Sequence, residues 1–442
     1  MSAADNGVRI GRRGALLLPL ALGACSWFDW LTDEAKPPIH GNRELVLSPA
    51  RGLTVDAIAD VEVPPVVANP SWPQQGGLPT HVGGNPAGGL SKAWSRSIGK
   101  GGDYRTRITS QPLIVGDRIF TYDADATVSA WTLAAGERIW TTKTRAPKNH
   151  SGNLGGGIGV DGDRVYAATG RGDLLALNAN DGTILWRKTI GSPARSAPTI
   201  ANGSLFLCTI DQQLLAFSAA NGAPLWTYQA TRADLGMLAV ASPAVANGLV
   251  VAGFESGDLA AVAADSGTLA WTDNLGTLKG AASLIEFNTV RGAPVIDQGI
   301  VYAIGLGGLM AALDLRGGRR IWERDVAGGN TPWLAGDTLF VIASDQKIAA
   351  LSKVDGTVHW VTQLRAFENL KRTKGLISWT GPALVGGKLI AGSTNQHLEV
   401  LDPLDGKIVS DLDLPSSVSI SPVAAQGTVL ILADNAVLTA YK

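Results

Sequence analysis

The sequence predicts an all-β protein, an eight-bladed β-propeller of four-stranded blades that an N-terminal strand closes by joining the C-terminal blade. Three observations predict this fold. A small residue is followed ten positions later by Trp in copy after copy, a proline-led apolar segment opens each copy, and no helical stretch is long enough for βαβ units. Single cores usually stop growing at about 250–300 residues, so a repeat architecture explains how 442 residues can form one main domain.

Composition restricts the classes of function. The chain is 45% hydrophobic and 17% charged, with 54 glycines, which is typical of a turn-rich folded protein and not of a disordered one. Lys and Arg number 37 against 38 Asp and Glu, so the formal net charge is −1 at pH 7. Because no global positive field would hold a polyanion, nucleic acid is not expected as a partner.

The N-terminus has the pattern of an export signal. Arg9, Arg12 and Arg13 precede an apolar run over residues 15–24, which is too short to cross the roughly 30 Å of a bilayer core. The run ends in Leu-Gly-Ala-Cys, which resembles the bacterial lipobox and implies that Cys25 is acylated. Residues 1–24 are therefore predicted to be a lipoprotein signal peptide. The alternatives are a buried N-terminal helix with an incidental Cys and, for the export route, twin-arginine instead of general secretion.

The segment after this Cys is predicted to be a lipidated tether, residues 25–68, ahead of a propeller over 69–442. It mixes proline, charge and a short apolar piece without a sustained period, and we expect at most one added strand there. Ser26 stands where similar lipoproteins with an Asp are kept in the inner membrane, so the resemblance implies the periplasmic face of the outer membrane. Cys208 lies in an apolar run and is predicted to be a buried small hydrophobe.

Seven copies of the repeat define the predicted blades, and they are Ala130 to Trp140, Ala176 to Trp186, Ala216 to Trp226, Ala261 to Trp271, Ala312 to Trp322, Ala350 to Trp360 and the degenerate Val400 to Ser410. Two halves remain, Trp94 before the first copy and Ala440 near the C-terminus, and together they make the eighth. A second marker gives the same count. The opening positions are Pro112, Gly157, Pro198, Pro243, Pro294, Pro332, Pro382 and Pro422.

The repeated Trp is predicted to be structural. An indole can remove roughly 150–250 Å² from water, and on an outer strand it can dock against the neighbouring blade. A stacking surface for sugars or bases is the alternative use of a repeated aromatic. Ser410 replaces Trp in one copy, and we expect the weakest contact between blades there. An open solenoid is the alternative fold, but it needs capping ends and not two complementary halves.

The Ala-Leu-x-x-x-x-Gly-x-x-x-Trp motif, as at Ala176 to Trp186, resembles the pyrroloquinoline-quinone-type propeller repeat. Together with the lipobox and a chain that is little more than propeller, it resembles the BamB family, the lipoprotein subunits of the outer-membrane β-barrel assembly machinery. The resemblance implies a non-enzymatic scaffold that binds the POTRA domains of BamA and other subunits and assists insertion of outer-membrane proteins. Whether unfolded outer-membrane proteins are bound directly stays open.

A quinoprotein dehydrogenase is the alternative, because it uses the same repeat around a quinone and Ca²⁺. Such enzymes typically have a pair of adjacent cysteines, which this chain lacks. The candidate carboxylates at 123, 125, 161 and 163 fall at turns, where Asp is expected for turn chemistry. The five histidines have no metal-ligand spacing. No cofactor, metal or catalytic residue is therefore predicted. A sensor or carbohydrate-binding module is a third possibility, with Trp72, Trp333 and Trp379 as the aromatic candidates.

One face is predicted to carry function, because the long connections after Trp226, Trp271 and Trp360 all lie on it. In the BamB family the first two of these loops contact BamA. The resemblance therefore implies that the partner-binding residues are Leu235, Met237, Leu238, Glu286, Asn288 and Arg291. Leu238 stands where a basic residue is usual, and the acidic character of the second loop is reduced to Glu286, so we expect a more apolar contact.

Overall fold

The computed structural model describes residues 52–57, 60–146, 151–232, 241–276 and 288–442. Within these residues every regular element is a β-strand, and none is a helix that could cross a membrane. The predicted fold is confirmed: eight four-stranded blades form a closed ring.

The strands of the first half, in chain order, are β1 (Ser71–Trp72), β2 (Lys92–Ser97), β3 (Leu113–Val115), β4 (Arg118–Tyr122), β5 (Thr127–Thr132), β6 (Arg138–Lys143), β7 (Gly156–Asp161), β8 (Arg164–Thr169), β9 (Asp173–Asn178), β10 (Ile184–Thr189), β11 (Thr199–Ala201), β12 (Ser204–Cys208), β13 (Gln213–Ser218), β14 (Pro224–Gln229), β15 (Ala244–Ala246), β16 (Leu249–Gly253), β17 (Asp258–Ala263) and β18 (Leu269–Asn274). Those of the second half are β19 (Val295–Asp297), β20 (Ile300–Ile304), β21 (Met310–Asp314), β22 (Arg320–Arg324), β23 (Trp333–Ala335), β24 (Thr338–Ile342), β25 (Lys347–Ser352), β26 (Val358–Gln363), β27 (Phe367–Asn369), β28 (Lys374–Leu376), β29 (Trp379–Val385), β30 (Lys388–Ser393), β31 (His397–Leu401), β32 (Ile408–Asp413), β33 (Val423–Ala425), β34 (Thr428–Leu432) and β35 (Val437–Tyr441).

Each blade is an antiparallel meander whose first strand is innermost. Blades 1 to 7 begin at β3, β7, β11, β15, β19, β23 and β29, and each runs outward through the next three strands. Blade 8 has the order β33, β34, β35 and β2, so the outermost strand comes from the other end of the chain. Trp94 lies opposite Ala440 in that pair. This is the predicted closure, and it leaves the ring without a free end.

The ten-residue spacing has a simple origin in strand pairing. In blades 1 to 7 the first residue of the repeat, on the third strand, lies directly opposite the residue ten positions later on the fourth, as Ala130 lies opposite Trp140, and in blade 8 Ala440 lies opposite Trp94. A β-bulge follows this pair in all eight blades and shifts the register next to it. A small residue opposite the indole leaves room for the ring to lean toward the neighbouring blade.

Each Trp is held by the turn between the third and fourth strands of the next blade. A Cβ placed on Gly182 would lie 2.4 Å from the ring of Trp140, and the φ of Gly182 is +74°, a conformation that favours glycine. The indole Nε1 of Trp140 donates to the carbonyl of Ala179, 3.0 Å away and three residues before that glycine. Six of the seven indoles donate to the equivalent carbonyl. Trp186 is the exception, since its Nε1 has no partner among the described residues.

Ser410 lies in blade 7, and the structure explains why Trp is absent there. The neighbour of blade 7 is blade 8, whose third and fourth strands come from opposite ends of the chain. No glycine turn joins them. Lys442 and Ser91 instead exchange two backbone hydrogen bonds at 2.9 and 3.1 Å. An indole at position 410 would therefore have no glycine turn to pack against, and Ser410 is exposed.

A belt, which we define as residues 69–88, runs round the inner edge of the ring before the chain enters β2. It bonds to blade 8 through Asn69, pairs with β3 through β1, and then reaches blades 2 to 7 in order. Its acceptors for the inner strands of blades 2 to 5 are the carbonyls of Pro73, Pro79 and Thr80 and the side chain of Gln74. The belt thus satisfies edge N–H groups that an eight-bladed ring otherwise leaves facing its centre.

The described part of the predicted tether, residues 52–57 and 60–68, lies against blades 5 and 6. Leu53 is buried beside Trp322, and Asp56 bonds through its backbone N–H and its carboxylate to Val358 on the outer strand of blade 6. Asp56 also pairs with Arg324. Cys208 is fully buried, as predicted, and burial raises the pKa of its thiol to about 12.

The contact between each indole and the glycine turn of the next blade yields a stability prediction for two blades. Trp271→Ala removes a buried ring from Gly318 and its hydrogen bond to Leu315, so we expect the free energy of unfolding to fall by about 3–5 kcal/mol. Ser410→Trp is the matched gain and should change it by no more than about 0.5 kcal/mol, because blade 8 offers no seat. Urea unfolding monitored by circular dichroism measures both. A clear stabilisation by Ser410→Trp would contradict the proposed reason for the missing indole.

The closure predicts that the C-terminus is structural. Deleting Val437 to Lys442 removes β35, which lies between β34 and β2. The outer strand β2, which carries Trp94, then loses its pairing partner. We expect the cooperative thermal transition to be lost or to move down by many degrees. Deletion of Lys442 alone is the control, since it costs only the two backbone bonds to Ser91. Equal melts for the two deletions would argue against the closed ring.

Candidate interaction face and central cavity

The two faces of the ring differ. The long-loop face carries the connections from each outer strand to the next inner strand. The opposite face carries the tight turns between the first and second strands and the glycine turns between the third and fourth strands. On the long-loop face the connections after β14, β18 and β26 are long, as the sequence predicts, and the connection after β2, over residues 98–112, is equally long. Residues 233–240 and 277–287, which make up most of the first two, lie outside the described residues.

The third long connection forms a small hairpin, β27 and β28, that stands on the long-loop face. Leu370 and Leu376 in it are 65% and 63% exposed, and Tyr104 in the connection before blade 1 is 80% exposed. The hairpin and its flanks carry four cations, Arg365, Lys371, Arg372 and Lys374. Exposed apolar side chains beside solvated cations are the residue types of a contact surface.

A central cavity of about 340 Å³ opens among the segments that precede the inner strands. Its floor is the belt, which supplies Trp72, Gln75, Gly76, His81 and Gly83 to the lining. Because the belt crosses near the tight turns, where Gly386 donates to Pro86 and Gly88 bridges Gly427, the centre of the ring is closed on that side. The cavity is therefore a blind funnel whose mouth belongs to the long-loop face.

Three arginines line this cavity, and none of its described lining residues is an Asp or Glu. Arg107, Arg195 and Arg291 precede the inner strands of blades 1, 3 and 5. Arg195 is 9% exposed and donates from Nη1 to the carbonyl of Leu154 at 2.8 Å, while its Nε has no partner among the described residues. Burial lowers the pKa of Arg195, and the nearby buried Glu255 acts in the opposite direction.

Arg291 is solvent-accessible but surrounded by protein, and that desolvation lowers its pKa. Within the described ranges no hydrogen bond or ion pair is recorded for its side chain. Asp434, in the turn between β34 and β35, accepts from the hydroxyls of Ser417 and Ser419, and Ser419 lines the cavity. Among the described residues the lining therefore carries three positive charges and no negative one.

The described floor carries aromatic rings and no charged side chain. Trp72 and Trp333 stack with centroids 6.0 Å apart and planes 11° apart, and each Nε1 already has an acceptor. Burial lowers the pKa of His81 to about 4, so its imidazole is neutral at pH 7. Its Nδ1 donates to the carbonyl of Pro294 at 2.8 Å, since a carbonyl can only accept. Trp379 is also buried, so none of the three candidate indoles forms an exposed stacking surface.

The predicted partner-binding residues fall into two groups. Leu235, Met237, Leu238 and Glu286 lie outside the described residues, as does the predicted lipidation site Cys25. Asn288 is half-buried against Gly257, Gly276 and Gly307 at the base of the second loop. Arg291 lines the cavity. Their contact with a partner stays a prediction.

The carboxylates considered for a metal have local roles. Asp123 accepts from the backbone N–H groups of Asp125 and Thr127 in a turn, and Asp125 pairs with Arg145 and Arg171 at 2.5 Å. In the described part of the chain, no group of three His, Cys, Asp or Glu side chains could hold a metal ion. The belt and its cavity were not predicted, although a run rich in Pro and Gly over residues 70–89 is a visible trace of the belt.

Comparison with known proteins agrees with this architecture. Residues 124–362 match the family model described as outer membrane protein assembly factor BamB. The BamB of Yersinia pestis is 30% identical over 358 residues, which is 79% of this chain and 88% of that protein. The curated relatives are named as assembly factors and not as dehydrogenases, and on that ground the prediction of a non-enzymatic protein is confirmed.

Solved structures show the same fold. The crystal structure of BamB from Moraxella catarrhalis superposes with a TM-score of 0.64 at 18% identity and covers 80% of this chain and 98% of that one. A quinohemoprotein alcohol dehydrogenase from Comamonas testosteroni gives 0.63 at 12% identity, covering 82% of this chain and 77% of that one, and at this identity the likeness shows the fold alone. The family model and the Yersinia relative decide the family: this chain belongs to the BamB family of outer membrane protein assembly factors.

Proposed function

We propose that this protein is a scaffold subunit of the outer-membrane β-barrel assembly complex, which binds the POTRA domains of BamA through its long-loop face and assists insertion of outer-membrane proteins. Membership of the BamB family is the observation that carries the proposal. Other subunits of the complex and unfolded outer-membrane proteins are further partners in this role. No cofactor takes part.

The difference between the two faces supports the choice of the long-loop face. The opposite face is already occupied by contacts within the protein. The belt crosses there, and each of seven glycine turns packs against an indole. Several connections on the long-loop face are longer than is needed to join one blade to the next. A scaffold that must keep its ring intact can vary these loops without loss of the core.

The loop after β14 supplies the first contact in this proposal. Its sequence, Ala-Asp-Leu-Gly-Met-Leu-Ala-Val over residues 233–240, is unusually apolar for a loop. Leu235, Met237 and Leu238 form an apolar anchor for a POTRA domain, and Glu286, Asn288 and Arg291 of the next loop flank it. Apolar anchors with polar neighbours are the usual composition of the energetic centre of an interface.

Attachment to the membrane completes the proposed function. The mature chain begins at an acylated Cys25 after removal of residues 1–24, and the tether over 25–68 leads to the propeller on the periplasmic face of the outer membrane. One acyl chain gives only marginal membrane binding, so a stable anchor of this type carries two or more.

The proposed contact predicts the effect of two charges in the first loop. Leu235→Asp combined with Met237→Asp should abolish pull-down of the purified POTRA region, because an apolar anchor then carries two carboxylates. The thermal melt of the double variant should stay within a few degrees of the parent. Unfolding of this variant would instead mean that the loop packs on the propeller as core.

A matched control exists on the opposite face. Val354 and Leu404 are exposed apolar residues, 66% and 52%, in the tight turns of blades 6 and 7. Val354→Asp combined with Leu404→Asp adds the same charge, and pull-down should be unchanged. Normal binding by the loop variant, or equal loss in both double variants, would place the interface elsewhere.

The anchor predicts a modified N-terminus. Mass spectrometry of the protein from membranes should find Cys25 as the first residue, carrying two or three acyl chains. Cys25→Ala should move the protein to the soluble periplasmic fraction with an unchanged melt, because the propeller closes without the signal and the lipid. An unmodified N-terminus at another residue would remove the lipid-anchor proposal.

A further inference from the structure

The central cavity has a charge pattern that its structural role does not require. Three arginines and no Asp or Glu stand among its described lining residues, in a chain whose net charge is −1. Each comes from a different blade, so the charges converge on one space from several sides. Desolvation lowers the pKa of Arg195 and of Arg291, so gathering them with a further cation is unfavourable unless an anion offsets their repulsion.

Only one of the three arginines has a structural bond on record. Arg195 donates to Leu154 and lies near Glu255, whereas Arg107 and Arg291 have no side-chain hydrogen bond or ion pair within the described ranges. Guanidinium groups bind carboxylates with two parallel hydrogen bonds. Arg107 and Arg291 are therefore free to bind a carboxylate that enters from the long-loop face.

The lining also holds apolar groups. The stacked Trp72 and Trp333 share it with Ile108, Pro332 and Ile420, among side chains that bear hydroxyl and amide groups. The indole Nε1 atoms are both occupied and His81 is neutral, so the floor offers little to an ion. A ligand that suits both parts has an anionic group at one end and an apolar group at the other.

We propose that the central cavity binds a carboxylate carried on an apolar group, with Arg107 and Arg291 on the carboxylate and Trp72 and Trp333 against the apolar part. Such a ligand is either a free apolar acid or the last residue of a polypeptide. The polypeptide end is favoured because the mouth lies on the face assigned to partners and clients, and this choice of source rests on the proposed function.

Titration calorimetry of the full chain in detergent tests the proposal. The probe is an acetylated Gly-Gly-Phe peptide with a free carboxylate, compared with the same peptide as its carboxamide. The free acid should bind at least about tenfold more tightly, since the carboxamide cannot form the charge-assisted pairs. Arg291→Gln and Arg107→Gln should each weaken binding of the free acid by about tenfold.

Controls separate the cavity from general charge and separate the two sources. Arg316→Gln, an exposed arginine in a tight turn of the opposite face, should leave binding unchanged. Tighter binding of the peptide than of 3-phenylpropionate supports the chain end, and equal or weaker binding supports a free acid. Equal binding of acid and carboxamide, no binding, or equal loss in all three arginine variants would overturn the proposal. POTRA pull-down is measured separately, so failure of the cavity proposal and failure of the proposed POTRA contact can be distinguished.

Discussion

The indole of each outer strand, seated on a glycine turn of the next blade, is the contact on which the ring depends. It is made seven times with the same parts: a ring over a glycine at positive φ, with an indole N–H that reaches the carbonyl three residues earlier in six of the seven. Every blade is too small to bury its faces alone, and this contact joins neighbouring blades at seven of the eight boundaries in the ring. Ring closure then ties the first described strands of the chain to the last.

The repeat could be predicted from the sequence because its cause is local. A small residue opposite a Trp, with a glycine turn between them, is one hairpin, and a hairpin leaves its spacing in the sequence. The eight blades and the pairing of Trp94 with Ala440 follow from it and are confirmed. Ser410 is explained only by the structure, because the reason for the missing indole lies in the next blade, where the chain ends replace the turn.

The belt could not be predicted for the opposite reason. Most of its bonds to the ring use backbone groups of prolines, glycines and a threonine, and the few side chains that take part, such as Asn69 and Gln74, follow no period. Each bond joins residues far apart in sequence, as Pro79 to Val245 and Thr80 to Ile296 do. The inner strands are only three residues long in most blades, so each has little edge to pair, and one pass of chain satisfies them in turn.

The belt also determines what the centre of the ring can do. It closes the centre of the ring on the side of the tight turns, so that the described cavity opens toward the long-loop face. Arg291, which the sequence assigns to partner contact, lines that cavity three residues after Asn288, at the end of the second loop. Asn288 packs among three glycines of blades 4 and 5, which positions the described end of the second loop. Residues 288–291 therefore connect the loop proposed to bind BamA with the wall of the cavity, so the proposed contact and the proposed ligand site share one short segment.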